Sequence, residues 1–190
     1  MQLPYTGQTS YELDLGGLSL SLPVVRVAPG LHIASFVLLG NVTLANHCAR
    51  LLADRLRGVA FDYLVCPEAK VLPLAQSLCT ELGLAEYVVL RKDAKGYMVH
   101  PMEADVQSIT TRKLQHLVID GPDADKLRGK RVVFLDDVVS TGGTFHAMEK
   151  LLEPLGVRIV AYAAALREGD GFSDPALIHL GELPTFPGGD

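Results

Sequence analysis

From residue 44 to residue 166 the chain alternates two kinds of apolar pattern, and this alternation limits its fold more than any other feature. FDYLVCP (61–67), EYVVLRK (86–92), RVVFLDD (131–137) and VRIVAYAAAL (157–166) are short, nearly continuous apolar runs. Runs of that length and composition read as buried strands. Between them apolar residues recur every three or four positions. Leu44, Ala45, Cys48, Leu51, Leu52 and Leu56 form one such face. Val71, Leu74, Ala75, Leu78 and Leu82 form a second, closed by Gly83, and Phe145, Met148, Leu152 and Leu155 a third. That spacing belongs to helices packed on one side. Strands alternating with helices predict an α/β fold: a mostly parallel twisted sheet flanked by helices.

Three stretches stand outside the alternation. YELDL-GG-LSLSL places alternating apolar residues on either side of two glycines, which predicts an N-terminal hairpin. HIASFVLLG (32–40) reads as a further strand. Residues 93–115 are polar, contain Gly96 and Pro101 and lack a helical stripe; weak alternation at 106–110 and 114–119 predicts a long two-stranded excursion. Excursions of that length inside a compact domain tend to be functional. GPDADKLRGK (121–130) reads as a turn-rich connection and PTFPGGD as a frayed tail. The expected organisation is an N-terminal segment over 1–40, an α/β core over 41–170 and a C-terminal strand and tail over 171–190.

Bulk properties narrow the function. The net charge of −5 argues against nucleic acid as a partner and against an anionic membrane surface. No apolar run approaches the roughly 20 residues of a membrane span. MQLPYTGQTSYELD lacks a basic segment followed by an apolar one, so no secretory signal is expected. Cys48, Cys66 and Cys79 form no C-x-x-C pair, which disfavours disulfide or zinc frameworks and points to a reducing, cytoplasmic setting. The six histidines show no metal-binding spacing and read as surface or packed residues.

The chemistry concentrates in VVFLDDVVSTGGT, residues 132–144. Two adjacent carboxylates, Asp136 and Asp137, stand at the end of a buried strand. Ser140, Thr141, Gly142, Gly143 and Thr144 follow, and then a helix. In a parallel sheet, ligands bind beyond the carboxyl ends of the strands. A helix N-terminus preceded by glycines offers backbone N–H groups to a phosphate. The carboxylates would repel that phosphate, so they suit sugar hydroxyls, or a Mg²⁺-bearing part of the same ligand, a few ångströms away. The chain has no G-x-x-x-x-G-K-[ST] loop to make this a Walker B strand, and no G-x-G-x-x-G dinucleotide fingerprint.

This thirteen-residue stretch resembles the phosphoribosyl-pyrophosphate (PRPP) signature of the type I phosphoribosyltransferases. The resemblance implies that fold, with a small N-terminal hood and a flexible flap at about 93–115. It gives Asp136 and Asp137 to the ribose hydroxyls, and Val138, Val139, Ser140, Thr141, Gly142, Gly143 and Thr144 to the ribose and 5-phosphate. Glu68-Ala69-Lys70, one strand earlier, is similar to the pyrophosphate loop of adenine phosphoribosyltransferases, with Val71 where that family usually has glycine. Arg91, Lys92 and Lys95 resemble the basic strand end that reaches pyrophosphate, and Lys92 joins the acidic pair as a catalytic candidate. The flap departs from the adenine pattern: VQSITTRKLQH has no matching glutamate. Val25 and Arg26 of the hood are candidates for base contact. By resemblance the cofactor is Mg²⁺, held mainly through PRPP rather than by direct protein ligands. The partners are PRPP and a purine base, and the assembly a homodimer. The implied reaction is purine salvage, with adenine first and xanthine, guanine, hypoxanthine or orotate as other bases. A PRPP- or nucleotide-binding regulatory protein of the same fold stays open.

Overall fold

A computed structural model describes residues 1–107 and 114–189. The elements in chain order are β1 (Ser10–Leu15), β2 (Leu18–Ala28), β3 (Leu31–Ala34), α1 (Val42–Leu56), β4 (Tyr63–Pro67), α2 (Leu72–Leu82), β5 (Val88–Leu90), β6 (Met102–Gln107), β7 (Leu114–Ile119), α3 (Gly121–Leu127), β8 (Arg131–Val139), α4 (Gly143–Leu152), a 3₁₀ turn (Glu153–Leu155), β9 (Arg158–Glu168), β10 (Leu177–Leu183) and β11 (Thr185–Pro187).

The central sheet has the order β10-β9-β8-β4-β5, and every pairing in it is parallel. Its middle strand explains the continuous apolar run. Val133 and Leu135 of β8 face the cluster under α1 and α2, with Leu52 and Leu78. Val132 and Phe134 face the cluster under α3 and α4, with Leu127, Phe145 and Met148. A strand covered on both faces has no polar side to alternate with. Burying Phe134 and Phe145 alone contributes about 2–3 kcal/mol each. Local signals fix the helix ends. The Asn41 side chain accepts the Leu44 N–H at 3.0 Å at the start of α1. Gly83 stops α2 in the left-handed region at φ 69°.

A second sheet, β1-β2-β3-β11, joins the two ends of the chain. Its inner residues Leu15, Leu22 and Phe186 share the core beneath α1. The tail therefore does not fray at this point: Thr185–Pro187 pairs antiparallel with β3, and Phe186 is 1% exposed. The expected strand at 32–40 is shorter and earlier, Leu31–Ala34. The turn-rich connection contains α3, where Pro122 suits the first helical turn and Ala124 and Leu127 turn inward three residues apart. β8 continues two residues past the acidic pair.

The polar excursion forms an antiparallel hairpin of β6 and β7, with Asp105 opposite His116. It joins the edge of the parallel sheet where the Arg91 and Val118 backbones exchange hydrogen bonds of 2.8 Å. Residues 108–113 of the expected flap lie outside the described residues. No helix among the described residues is long and apolar enough to cross a membrane.

Candidate active site

A cavity of about 500 Å³ opens at the carboxyl ends of β4 and β8. Pro67, Glu68, Ala69, Lys70 and Val71 line one side, and Asp136, Asp137, Val138 and Thr144 another. Lys92, His116 and Leu117 complete the wall. Two loops far apart in sequence thus meet because β4 and β8 are neighbours in the sheet.

The acidic pair sits where the alternation of β8 breaks. Before it, odd and even residues face opposite clusters; after it, Val138 packs with the α1–α2 cluster and Val139 with the α4 cluster, the reverse assignment. Both carboxylates consequently reach the cavity. Asp136 Oδ1 accepts the Asp137 N–H at 2.9 Å. Burial, and then the neighbouring Asp137 charge, push the Asp136 carboxyl well above the usual carboxylate range; the Asp137 amide and Thr144 hydroxyl offset only part of this. The charged form of Asp136 is thus disfavoured until a partner reaches it from the cavity.

The turn after β8 is built for close approach. Gly142 is in the left-handed region at φ 76°, and a Cβ there would lie 2.2 Å from the Phe172 ring. Phe172 itself packs against Phe145, the third residue of α4, with ring centroids 5.5 Å apart and planes tilted by 57°. Gly171 presses on the same turn from outside, with room for no Cβ: it would meet Ser140 O at 2.9 Å. The half-buried Glu168 has the Ser140 hydroxyl as a neighbour that favours its anion. Burial nevertheless raises the Glu168 carboxyl. The loop is thus wedged between α4 and the 169–172 segment.

Glu68 behaves differently from the acidic pair. Its Oε1 accepts the Lys92 N–H at 2.8 Å, its Oε2 pairs with Arg91 Nε at 2.5 Å, and its own N–H donates to Leu90 O at 2.8 Å. Burial alone would push this carboxyl up, but the Lys92 amide, then the Arg91 and Lys95 charges, outweigh it and hold it below the usual range. Glu68 ties the β4–α2 loop to the end of β5.

Of the residues expected from the sequence, Glu68, Ala69, Lys70, Lys92, Asp136, Asp137, Val138 and Thr144 line one cavity. Ser140, Thr141, Gly142 and Gly143 form the turn beside it, while Val139 is buried beneath α4. Arg91 is turned to Glu68 and to the Tyr97 hydroxyl, 3.1 Å away, and Lys95 lies 3.8 Å from Asp93; neither is in the lining. Val25 and Arg26 are exposed on β2, outside the lining. Pro67, His116 and Leu117 line the cavity without having been singled out, as does Val71, noted from the sequence only as a departure from glycine. The alternation at 114–119 was the available signal for His116 and Leu117, but it does not say which face of β7 meets the cavity.

Among the described residues no three His, Cys, Asp or Glu side chains converge as a metal cage. The oxygen donors at hand, Glu68, Asp136 and Asp137, suit a hard cation that keeps most of its coordination on a bound ligand.

The chain matches the family model of the phosphoribosyl transferase domain over residues 38–176. It is 36% identical over 110 residues to a hypoxanthine/guanine phosphoribosyltransferase of Methanobacterium lacus, covering 58% of this chain and 54% of the relative. It is 31% identical over 114 residues to an adenine phosphoribosyltransferase of Caldanaerobacter subterraneus, covering 58% and 61%. The matches span little more than half the length of these curated relatives. Among solved structures, an adenine phosphoribosyltransferase from Thermoanaerobacter pseudethanolicus shares the fold with a TM-score of 0.64 at 24% identity, covering 92% of this chain and 95% of that one.

Proposed function

Since the chain belongs to the phosphoribosyl transferase domain family, we propose that it transfers the 5-phosphoribosyl group of PRPP to a purine base, giving a nucleoside monophosphate and pyrophosphate in purine salvage. The observation that carries this reading is the meeting of the acidic pair and Thr144 with the Glu68–Lys70 loop and Lys92 around one cavity. One side fits a phosphorylated ribose, the other a second anion.

The reaction displaces pyrophosphate from the ribose C1, and positive charge builds on the sugar as it leaves. Asp136 and Asp137 grip the ribose hydroxyls and sit near that developing charge. The 140–144 turn holds the 5-phosphate through backbone N–H groups and hydroxyls. Lys70 and Lys92 face the departing pyrophosphate and stabilise its charge. When bound, Mg²⁺ on PRPP oxygens adds to that neutralisation. No covalent nucleophile is needed, so the protein's contribution is orientation and charge placement. The reading also includes a cytoplasmic enzyme and a homodimer; the exposed Val37 and Leu39 before α1 and Val42 at its first turn are apolar surface that a second copy would cover.

Adenine is the first base, supported by the fold of the adenine enzyme; the hypoxanthine/guanine relatives support the second reading, a 6-oxopurine base. Pyrophosphate release from PRPP, measured with adenine, hypoxanthine, guanine, xanthine and orotate, tests both. Fastest release with adenine is expected. Fastest release with a 6-oxopurine replaces it. PRPP binding without release by any base overturns the enzyme and leaves a regulatory binding protein.

A further inference from the structure

His116 is a titratable residue of the cavity wall that the reaction above does not use. It stands on β7 directly opposite Asp105 of β6. Its Nδ1 lies 2.7 Å from Asp105 Oδ1, while its Nε2 lies 3.5 Å from Glu103 Oε2. The short contact fixes the ring and assigns the Nδ1 proton to Asp105. The longer one leaves Nε2 only loosely engaged, by a carboxylate that faces solvent. Asp105 is itself anchored, its backbone carbonyl accepting Lys150 Nζ of α4 at 2.9 Å.

The charges around the ring favour its cation. The Asp105 hydrogen bond, then the Asp105 and Glu103 charges with a smaller part from Asp93, outweigh burial and raise His116 above its ordinary imidazole value. Across the cavity stand Glu68, Asp136 and Asp137, and beside them Lys70 and Lys92. Glu68 is already occupied by Arg91 and the Lys92 amide. Among the described residues Lys70 and Lys92 make no ion pair, so the cationic part of the wall is open to an anion.

We infer that His116, oriented by Asp105, is a pyrophosphate-binding residue that donates from Nε2 to the departing anion, making its retention pH-dependent. The inference rests on the phosphoribosyl-transfer reading and deepens it: a third cation, supplied by the β6–β7 hairpin, faces the same anion as Lys70 and Lys92. No proton need be transferred; the imidazolium acts by charge and hydrogen bond, and deprotonation removes the Nε2 donor.

Calorimetric titration of the full chain with inorganic pyrophosphate and Mg²⁺ tests this at about pH 5.5 and about pH 9, on either side of the ordinary histidine range. His116→Gln is expected to weaken pyrophosphate about 10-fold at the lower pH, the loss of one charge-assisted hydrogen bond, and to change little at the higher. His116→Lys keeps its charge at both and is expected to bind more tightly than wild type at the higher pH. Asp105→Asn is expected to move the fall in affinity to lower pH. Ribose 5-phosphate binding stays unchanged in all three. Equal pyrophosphate affinity of wild type and His116→Gln at the lower pH overturns the role of His116, as does His116→Lys binding as weakly as His116→Gln there. Failure of the wild-type chain to bind either pyrophosphate or ribose 5-phosphate overturns the phosphoribosyl-transfer reading beneath it.

Discussion

Glu68 and Asp136 line the same cavity, yet their surroundings push them in opposite directions. Glu68 is half-buried but compensated: an amide, a guanidinium and a lysine charge make its anion comfortable. Asp136 is half-buried against another carboxylate, the buried Asp137, and is compensated only in part. One group has its charge compensated by the fold and holds the fold in turn; the other carries a charge that the fold compensates only in part. A crowded charge costs stability, and such a cost is kept where a ligand offsets it. The difference separates scaffold from site within one wall.

The largest expected effect breaks the ligand side. Gly142→Val needs a left-handed β-branched residue and drives its Cβ into Phe172, so the turn must move. PRPP binding is expected to disappear in calorimetry, while circular dichroism retains the α/β signature. Unchanged affinity would show that the turn does not hold the 5-phosphate.

Asp136→Asn comes next. It removes an acceptor for the ribose and is expected to weaken PRPP about 100-fold, the value of one or two charged hydrogen bonds. Urea unfolding at pH 8 is expected to show no loss of stability, because the variant also removes a half-buried, crowded charge. A fall of several kcal/mol there would make Asp136 scaffold as Glu68 is, and erase the contrast.

Glu68→Gln is the converse. It leaves Arg91 half-buried without its carboxylate and is expected to cost about 1–3 kcal/mol in urea unfolding. Its effect on ribose 5-phosphate binding should stay within about threefold, since the phosphate turn stands on other strands. A larger loss of binding than of stability would place Glu68 in the ligand's grip.

Much of this contrast was visible in the sequence, and unevenly so. β8, its acidic pair, the turn and α4 are contiguous, so their order alone conveys strand end, carboxylates, donors and helix. Lys70 and Lys92 needed only the parallel order of neighbouring strands. What escaped depends on register or on distant pairing. His116 faces the cavity because Met102 pairs with Ile119, a register that alternation alone does not set. Arg91 looked like a pyrophosphate ligand, but only the closeness of β4 and β5 shows Glu68 beside it. Phe186 sits in a proline- and glycine-rich tail, and its burial follows from pairing with β3 more than 150 residues away in sequence.

The smallest effect is also the cleanest comparison, the pH dependence of stability. For Glu68 the folded value is depressed, so its contribution is complete above the ordinary glutamate range and is lost as pH falls through the folded value. For Asp136 the folded value is raised, so the folded state binds more protons than the unfolded one. Its contribution is therefore most favourable below the ordinary aspartate range, and declines as pH rises from there through the folded value. Asparagine resembles the protonated acid. The stability of Asp136→Asn relative to wild type is expected to grow as pH is raised from about 4 to 8. The relative stability of Glu68→Gln should instead fall over the lower part of that range and then level off. Parallel stability curves for wild type and Asp136→Asn would mean that Asp136 ionises as freely as an exposed carboxylate. Asp136 would then no longer be the poorly compensated charge of the cavity.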